Sequence, residues 1–179
     1  MKNSIKTAFC GMMVALSVAL MFFTGLVPVA TIAIPAIAGC LTIPVVAHIN
    51  SKWGLGVFAA TALLCFFLTP DREAFLIYVL FFGYYPSVYG YLRRIKSKAL
   101  KVLVKLLIFT LAIMAEALIA IYVLGIPLEA ISFLGALTPL YLLILADLLL
   151  FLYDYTLDGL IGFYISKFYH KINGVFKLK

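Results

Sequence analysis

Two acidic residues stand inside apolar stretches of this sequence. Glu116 lies in the segment LAIMAEALIAIY and Asp147 in the segment YLLILADLLLFL. A charged side chain at the centre of a bilayer costs about 2.5–3.5 kcal/mol on insertion scales, so such residues usually face a cavity, a partner or a functional site. Two roles are open for these carboxyl groups: binding a ligand, or forming hydrogen bonds that tie helices together.

The two acids also stand at matching distances from the ends of their predicted helices. Glu116 comes eight residues before Leu124, and Asp147 comes eight residues after Pro139. At the rise of an α-helix, each lies about 12 Å below the same membrane surface. Two carboxylates in one pocket repel each other unless one is protonated or a cation neutralises them. We expect no membrane-embedded lysine or arginine to do so, and therefore predict an outward-facing cavity for a cationic or strongly hydrogen-bonding ligand.

Tyrosines of another apolar stretch could complete this pocket. Tyr78, Tyr85 and Tyr89 fall on one helical face, and the first two lie higher in the predicted membrane. Aromatic faces beside carboxylates suit an organic cation. The predicted substrate-binding residues are therefore Glu116, Asp147, Tyr78 and Tyr85. Coincidence is the alternative for the tyrosines, because the chain contains 15 phenylalanines and 11 tyrosines.

Other residue types give no sign of catalysis or metal binding. His48 and His170 stand singly at predicted helix ends, and the three cysteines lie in apolar segments without the spacing of metal ligands. The sequence contains no nucleophile elbow, no paired histidine–carboxylate metal motif and no glycine-rich phosphate loop with a lysine. We therefore expect no enzyme activity, no metal site and no cofactor.

The composition indicates a protein that is embedded in a lipid bilayer. Hydrophobic residues make up 66% of the 179 and charged residues 12%, whereas soluble domains carry about 25% charged residues. The net charge of +7 could suggest nucleic acid, but the basic residues lie in the gaps between apolar runs. We predict a lipid bilayer as partner, no nucleic acid, and one compact domain over residues 1–179.

Polar and turn-forming breaks divide the chain into helices long enough to cross a bilayer, which takes about 20 apolar residues. The predicted fold is an all-α integral membrane protein, a compact bundle of six transmembrane helices. Pro35 and Pro44 predict a kinked or partly unwound second helix, because proline removes a backbone donor. The six predicted spans are residues 5–25, 31–49, 53–69, 72–92, 101–124 and 139–168.

Charge distribution predicts the orientation of these helices. Of the 14 lysines and arginines, all but Arg72 fall on one side of the six-helix arrangement. The positive-inside rule makes that side cytoplasmic, so both termini are predicted in the cytoplasm. We separately expect the protein in a bacterial plasma membrane. Asp147, Asp154 and Asp158 share one face of the last helix. We expect Asp158, nearest the inner end, to pair with a lysine or arginine of the basic loop.

The first helix carries small residues at helical spacing. In AFCGMMVALSVAL, Gly11, Ala15 and Ala19 are four residues apart and share one face, where another backbone can approach closely. The face could pack against a neighbouring helix of the same chain, or it could dock a partner membrane subunit.

Together with these alanines, the chain resembles the substrate-binding S components of energy-coupling factor (ECF) vitamin transporters. The features that carry the resemblance are the basic N-terminus, the Ala-x-x-x-Ala motif of Ala15 and Ala19, the six spans and the length. The resemblance implies that Gly11, Ala15 and Ala19 dock on a coupling transmembrane subunit, which joins a pair of cytoplasmic ATPases. It also implies capture of a small-molecule micronutrient from outside. Nickel- and cobalt-specific relatives carry a histidine after the initiator methionine. This chain has Lys2 there, which argues against a metal substrate.

Two features depart from this family. The connection between the first two helices is short and apolar, and no vitamin-specific signature is present, so no substrate-binding residue is carried over from the resemblance. The main alternative is a non-transport membrane scaffold similar to the small MreD-type proteins of bacterial cell-shape complexes. An intramembrane enzyme is a third class, for which the motifs are missing.

The six-span topology predicts which connections an impermeant thiol reagent reaches from outside. Single cysteines are placed at residues 70–73, 126–130 and 93–100 in a background without Cys10, Cys40 and Cys65. We expect labelling of intact cells at the first two sites only, because the third lies in the cytoplasm. Labelling of the basic connection 93–100 from outside would overturn the topology.

Overall fold

The computed structural model describes residues 3–26, 30–93, 95–122 and 138–169. Throughout these ranges every regular element is helical. In chain order the elements are α1 (Asn3–Phe23), α2 (Ala33–Cys40), α3 (Ile43–His48), α4 (Ser51–Leu68), α5 (Arg72–Ile77), a first π-helical segment (Tyr78–Phe82), α6 (Tyr85–Leu92), α7 (Lys98–Tyr122), α8 (Thr138–Tyr164) and a second π-helical segment (Ile165–Tyr169).

Four stretches of helix in the described residues are long and apolar enough to cross a membrane. They are Asn3–Phe23, Ser51–Leu68, Arg72–Leu92 and Ala99–Ile119, and the shorter Ala33–His48 is also apolar. The predicted all-helical membrane character is therefore confirmed at this coarser level. The sixth predicted span is occupied by α8, a helix of 27 residues. Six crossings and the orientation of the termini stay predictions.

Large apolar side chains cover the outer surfaces of these helices. Leu63 and Phe67 of α4 are 67% and 75% exposed, and Leu148 and Leu152 of α8 are 65% and 61% exposed. Soluble monomers rarely expose apolar patches larger than a few hundred Å². Such a surface matches the hydrocarbon of a bilayer.

The chain divides into two compact units. The first contains Met1–Arg94 and Leu157–Lys179, and the second contains Ile95–Thr156. The first unit therefore includes α1 to α6 and the last part of α8, while the second includes α7 and the first part of α8. The single domain over residues 1–179 stays a prediction.

The core of the first unit combines small side chains with buried aromatic ones. One cluster joins Met21, Ala38, Cys65, Ala74 and Tyr78. A second joins Cys10, Met13, Val45 and Val57. Two of the three cysteines are thus buried as apolar groups, and all three are free thiols. Helices packed through small side chains approach closely, which is how helices associate in lipid.

The second predicted span is broken where its sequence suggests. α2 ends at Cys40 and α3 begins at Ile43, with Pro44 in the first turn of α3. Proline has no N–H to donate and its ring excludes the carbonyl four residues earlier. The Thr42 hydroxyl donates to the Gly39 carbonyl at 2.8 Å and so satisfies a group at the break. The predicted kink is present.

The fourth predicted span is also interrupted. Between α5 and α6 the first π-helical segment forms, and the Gly83 N–H donates to the Tyr78 carbonyl at 2.7 Å. Pro86 follows, so the Phe82 carbonyl lacks its usual helical donor. This carbonyl faces Gly39 so closely that a Cβ on Gly39 would overlap it. The two interrupted spans therefore approach each other through backbone at a position that only glycine fits.

Candidate functional site

The small-residue face of α1 is uncovered. Gly11, Ala15 and Ala19 are all exposed, and a Cβ added to Gly11 would meet nothing within 4 Å. The face that α1 buries carries other residues, namely Cys10, Met13, Ser17 and Met21. Packing of the small-residue face against another helix of the chain is therefore not seen in the described residues. Its role in docking stays a prediction.

An open apolar groove runs beside this face, between α1 and α4. Its volume is about 500 Å³. We call it the α1 groove, and its lining residues are Ala15, Val18, Ala19, Phe22, Phe23, Leu64 and Leu68. The alanines let another backbone approach, while the large side chains beside them supply contact area. The groove has the chemistry of a surface for an apolar helix and offers no polar group for a soluble ligand.

Both predicted substrate-binding tyrosines are buried in the first unit. Tyr78 is 0% exposed and Tyr85 is 1% exposed. The Tyr78 hydroxyl makes no hydrogen bond in the described residues, although Thr61 of α4 approaches it without reaching hydrogen-bonding geometry. Tyr85 packs against Tyr89, with ring centroids 6.3 Å apart. π-Helical segments such as the one that begins at Tyr78 occur frequently at functional sites.

The two predicted acids lie in the second unit. Glu116 is on α7 and Asp147 is on α8, and both are partly buried. The Oδ1 atom of Asp147 is buried and accepts no hydrogen bond from the described residues. An acceptor in this state usually marks a functional group or a place for a bound donor. A shared cavity for these acids, and for the tyrosines of the first unit, stays a prediction.

The second acid of the predicted face on α8 forms a buried ion pair. Asp154 contacts Lys105 of α7, and their side chains are only 15% and 7% exposed. Phe109 and Phe151 pack edge to face one turn along these helices, with centroids 5.9 Å apart. The expectation that no lysine is embedded is therefore wrong. The helix begins at Lys98, so Lys105 lies two turns inside it rather than in the basic loop.

Asp158 has a different partner from the one expected. Its Oδ1 accepts a hydrogen bond from the Tyr89 hydroxyl at 2.5 Å. Among the described residues, Asp158 is thus paired with a tyrosine of α6 and not with a lysine or arginine. Tyr89 is itself 2% exposed, so the hydrogen-bond donor to the Asp158 carboxylate belongs to the core of the first unit.

The single histidine within the described residues has a packing role. His48 Nε2 lies 2.8 Å from the Tyr164 hydroxyl, and the His48 ring meets the Phe9 ring edge to face. No group of three histidine, cysteine, aspartate or glutamate side chains in the described ranges could hold a metal ion. His170, the other histidine of the chain, lies outside those ranges.

The buried ion pair predicts an asymmetric stability response. Asp154→Asn leaves the Lys105 ammonium buried without a counter-charge, and we expect it to lower the free energy of unfolding by about 3–5 kcal/mol. The double variant Lys105→Met, Asp154→Leu should recover most of that loss, because an apolar pair of similar size replaces both charges. Reversible unfolding in mixed micelles measures both changes.

Asp158→Asn is the matched control, since it makes the same chemical change one turn further along α8. We expect a loss of about 1 kcal/mol, because asparagine still accepts from Tyr89. Equal losses at positions 154 and 158, or no recovery in the double variant, would contradict the buried pair.

Comparison of the chain with protein-family models, with curated proteins and with solved structures finds no match.

Proposed function

We propose that this chain is the membrane-embedded substrate-binding subunit of an ATP-driven micronutrient importer of the ECF type. It binds a small molecule from outside the cell and passes it on through a coupling transmembrane subunit and a pair of cytoplasmic ATPases. The observation that carries this proposal is the exposed small-residue face of α1, with Gly11, Ala15 and Ala19 beside an open apolar groove.

Exposure of small side chains to lipid calls for an explanation. Many other outward positions carry large side chains such as Phe67 and Leu148, although α4 also exposes Gly56, Ala59 and Ala60. In lipid no hydrophobic effect drives helices together, so association depends on close packing at small residues. Three small residues on successive turns beside Phe22 and Phe23 supply both the close approach and the contact area for one partner helix.

The proposed substrate-binding acids are Glu116 and Asp147 of the second unit. The support from geometry is the buried Oδ1 atom of Asp147, which accepts no hydrogen bond from the described residues. A cationic or strongly hydrogen-bonding ligand would satisfy it. Lys105 does not compete for this role, because its ammonium is paired with Asp154.

The proposed topology has six crossings with both termini in the cytoplasm of a bacterial cell. It is supported by the four membrane-competent helices and by the position of the lysines and arginines other than Arg72 and the buried Lys105 on one side of the spans. In the proposed mechanism the substrate binds in an outward cavity, and the whole helical body then rotates in the membrane as it docks on the coupling subunit.

The docking role predicts loss of the partner without loss of the fold. The chain is coexpressed with the coupling subunit and ATPase pair of its source organism and purified through an affinity tag. The double variant Ala15→Trp, Ala19→Trp fills the α1 groove, and we expect it to abolish copurification. Its unfolding midpoint should stay near that of the native chain, because both positions are exposed.

The matched control is Met12→Trp, Leu16→Trp, which has the same spacing on α1. These side chains are 51% and 47% exposed and do not line the groove, so copurification should persist. If the alanine variant unfolds and still retains its partner, the face packs internally; overpacking costs about 1–3 kcal/mol. No copurification with the native chain would contradict the proposed assembly.

The substrate site predicts a loss of affinity on neutralising the acids. Native mass spectrometry of gently purified protein first identifies the bound small molecule. Glu116→Gln or Asp147→Asn should then weaken its affinity at least about tenfold, or ~1.4 kcal/mol, if a ligand charge meets the carboxylate. Unchanged affinity with lower stability would make both acids structural. A scaffold of the MreD type would dock partners but bind no such molecule, so the two experiments separate the functions.

A further inference from the structure

A second apolar groove opens in the first unit, beside the last two turns of α6. Its volume is about 150 Å³. We call it the α6 groove. Its walls come from α3, α6 and the end of α8, and its lining residues are Ile43, Val46, Ala47, Pro86, Tyr89, Gly90, Arg93, Ile161 and Ile165. None of these residues belongs to the α1 groove or to the proposed substrate site.

The interior of the α6 groove suits hydrocarbon. Its wall is mostly apolar, and the one hydroxyl among its lining residues, that of Tyr89, already donates to Asp158 at 2.5 Å. An open groove with apolar walls gains contact area when an apolar guest fills it. In a membrane the apolar guest present at high concentration is a lipid acyl chain.

One end of the groove carries a positive charge. Arg93 follows directly after Leu92, the last residue of α6. Its side chain is exposed and makes no ion pair or side-chain hydrogen bond in the described residues. Pro86 lines the groove seven residues earlier, so the apolar part extends about 10 Å along the helix axis from the guanidinium end. A cation above an apolar slot has the shape and polarity that a phospholipid requires.

Asp158 forms no ion pair with Arg93 in the described residues. Asp158 is held by Tyr89, which precedes Arg93 by one helical turn. The guanidinium is therefore available for a phosphate, which it can bind with two parallel hydrogen bonds. A zwitterionic headgroup carries its own cation beside the phosphate, so it gains less binding free energy from the guanidinium. Basic pockets between membrane helices bind anionic headgroups for this reason.

We propose that the α6 groove binds an anionic phospholipid, with one acyl chain between α3, α6 and α8 and the phosphate on Arg93. The lipid belongs to the leaflet at the Arg93 end of α6. This site is independent of the proposed import function, because it uses neither the α1 groove nor the acids of the second unit.

Lipid titration followed by native mass spectrometry tests the charge requirement. The full chain in detergent is titrated with dioleoyl phosphatidylglycerol, with dioleoyl phosphatidylcholine and, separately, with inorganic phosphate. We expect the anionic lipid to bind about tenfold more tightly than the zwitterionic one, the difference that one charge-assisted contact supplies. Arg93→Gln should reduce that preference to about one. Lys52→Gln removes an exposed cation outside the groove and should leave the preference unchanged.

The acyl-chain requirement is tested by filling the groove. Ala47→Phe from α3 and Ile161→Trp from α8 should each weaken both lipids by about tenfold, because they occupy the space of the chain. Circular dichroism identifies which of the two variants fold, and one folded variant is enough for this test. Equal binding of the two lipids by the native chain would overturn the proposal. So would a preference that survives Arg93→Gln, unchanged lipid binding in a folded groove-filling variant, or phosphate alone binding as tightly as the lipid.

Discussion

In hydrocarbon every backbone N–H and C=O must find its partner inside the protein, because water is not there to supply one. This constraint explains why the described chain is helical and also where the helices can break. The Phe82 carbonyl, four residues before Pro86, lies against Gly39, and the Gly39 carbonyl near the other break accepts from Thr42. The two interrupted spans thus meet through backbone at Gly39, where any side chain would overlap the Phe82 carbonyl. The packing of the first unit depends on this close approach.

The same low-dielectric surroundings govern the polar side chains. Lys105 and Asp154 are tolerated because each neutralises the other, while Asp158 and His48 are held by tyrosine hydroxyls. Among the acids of α8, Asp147 differs, since no described donor satisfies its Oδ1 atom. The hydroxyls of Thr61, Thr69, Tyr78 and Ser87 are also unsatisfied among the described residues, so such a group calls for an explanation without by itself marking a site. The contrast among the three acids of α8 is why substrate binding is proposed at Asp147 and not at its neighbours.

Sequence reasoning succeeded where one residue type decides the local outcome. Pro44 predicts the break before α3, and apolar length predicts the membrane-competent helices, because both depend on neighbours along the chain. It failed for Lys105, since the expectation of no membrane-embedded lysine disregards its position within the predicted span 101–124. That position is the feature of the sequence that indicates an embedded lysine. The burial of Tyr78 and the partner of Asp158 depend on how α4, α6 and α8 pack, and helical spacing alone does not contain this information.

The open α1 groove has a consequence for how the surrounding bilayer would take part in the proposed association with a partner helix. A depression of about 500 Å³ on a lipid-facing helix is filled by acyl chains whenever no protein occupies it. A helix that enters must expel those chains, and they regain the conformational freedom that the groove had restricted. The strength of the association is then set partly by acyl-chain length and unsaturation. A cell that remodels its membrane lipids would thereby alter the assembly without changing a single residue of either protein.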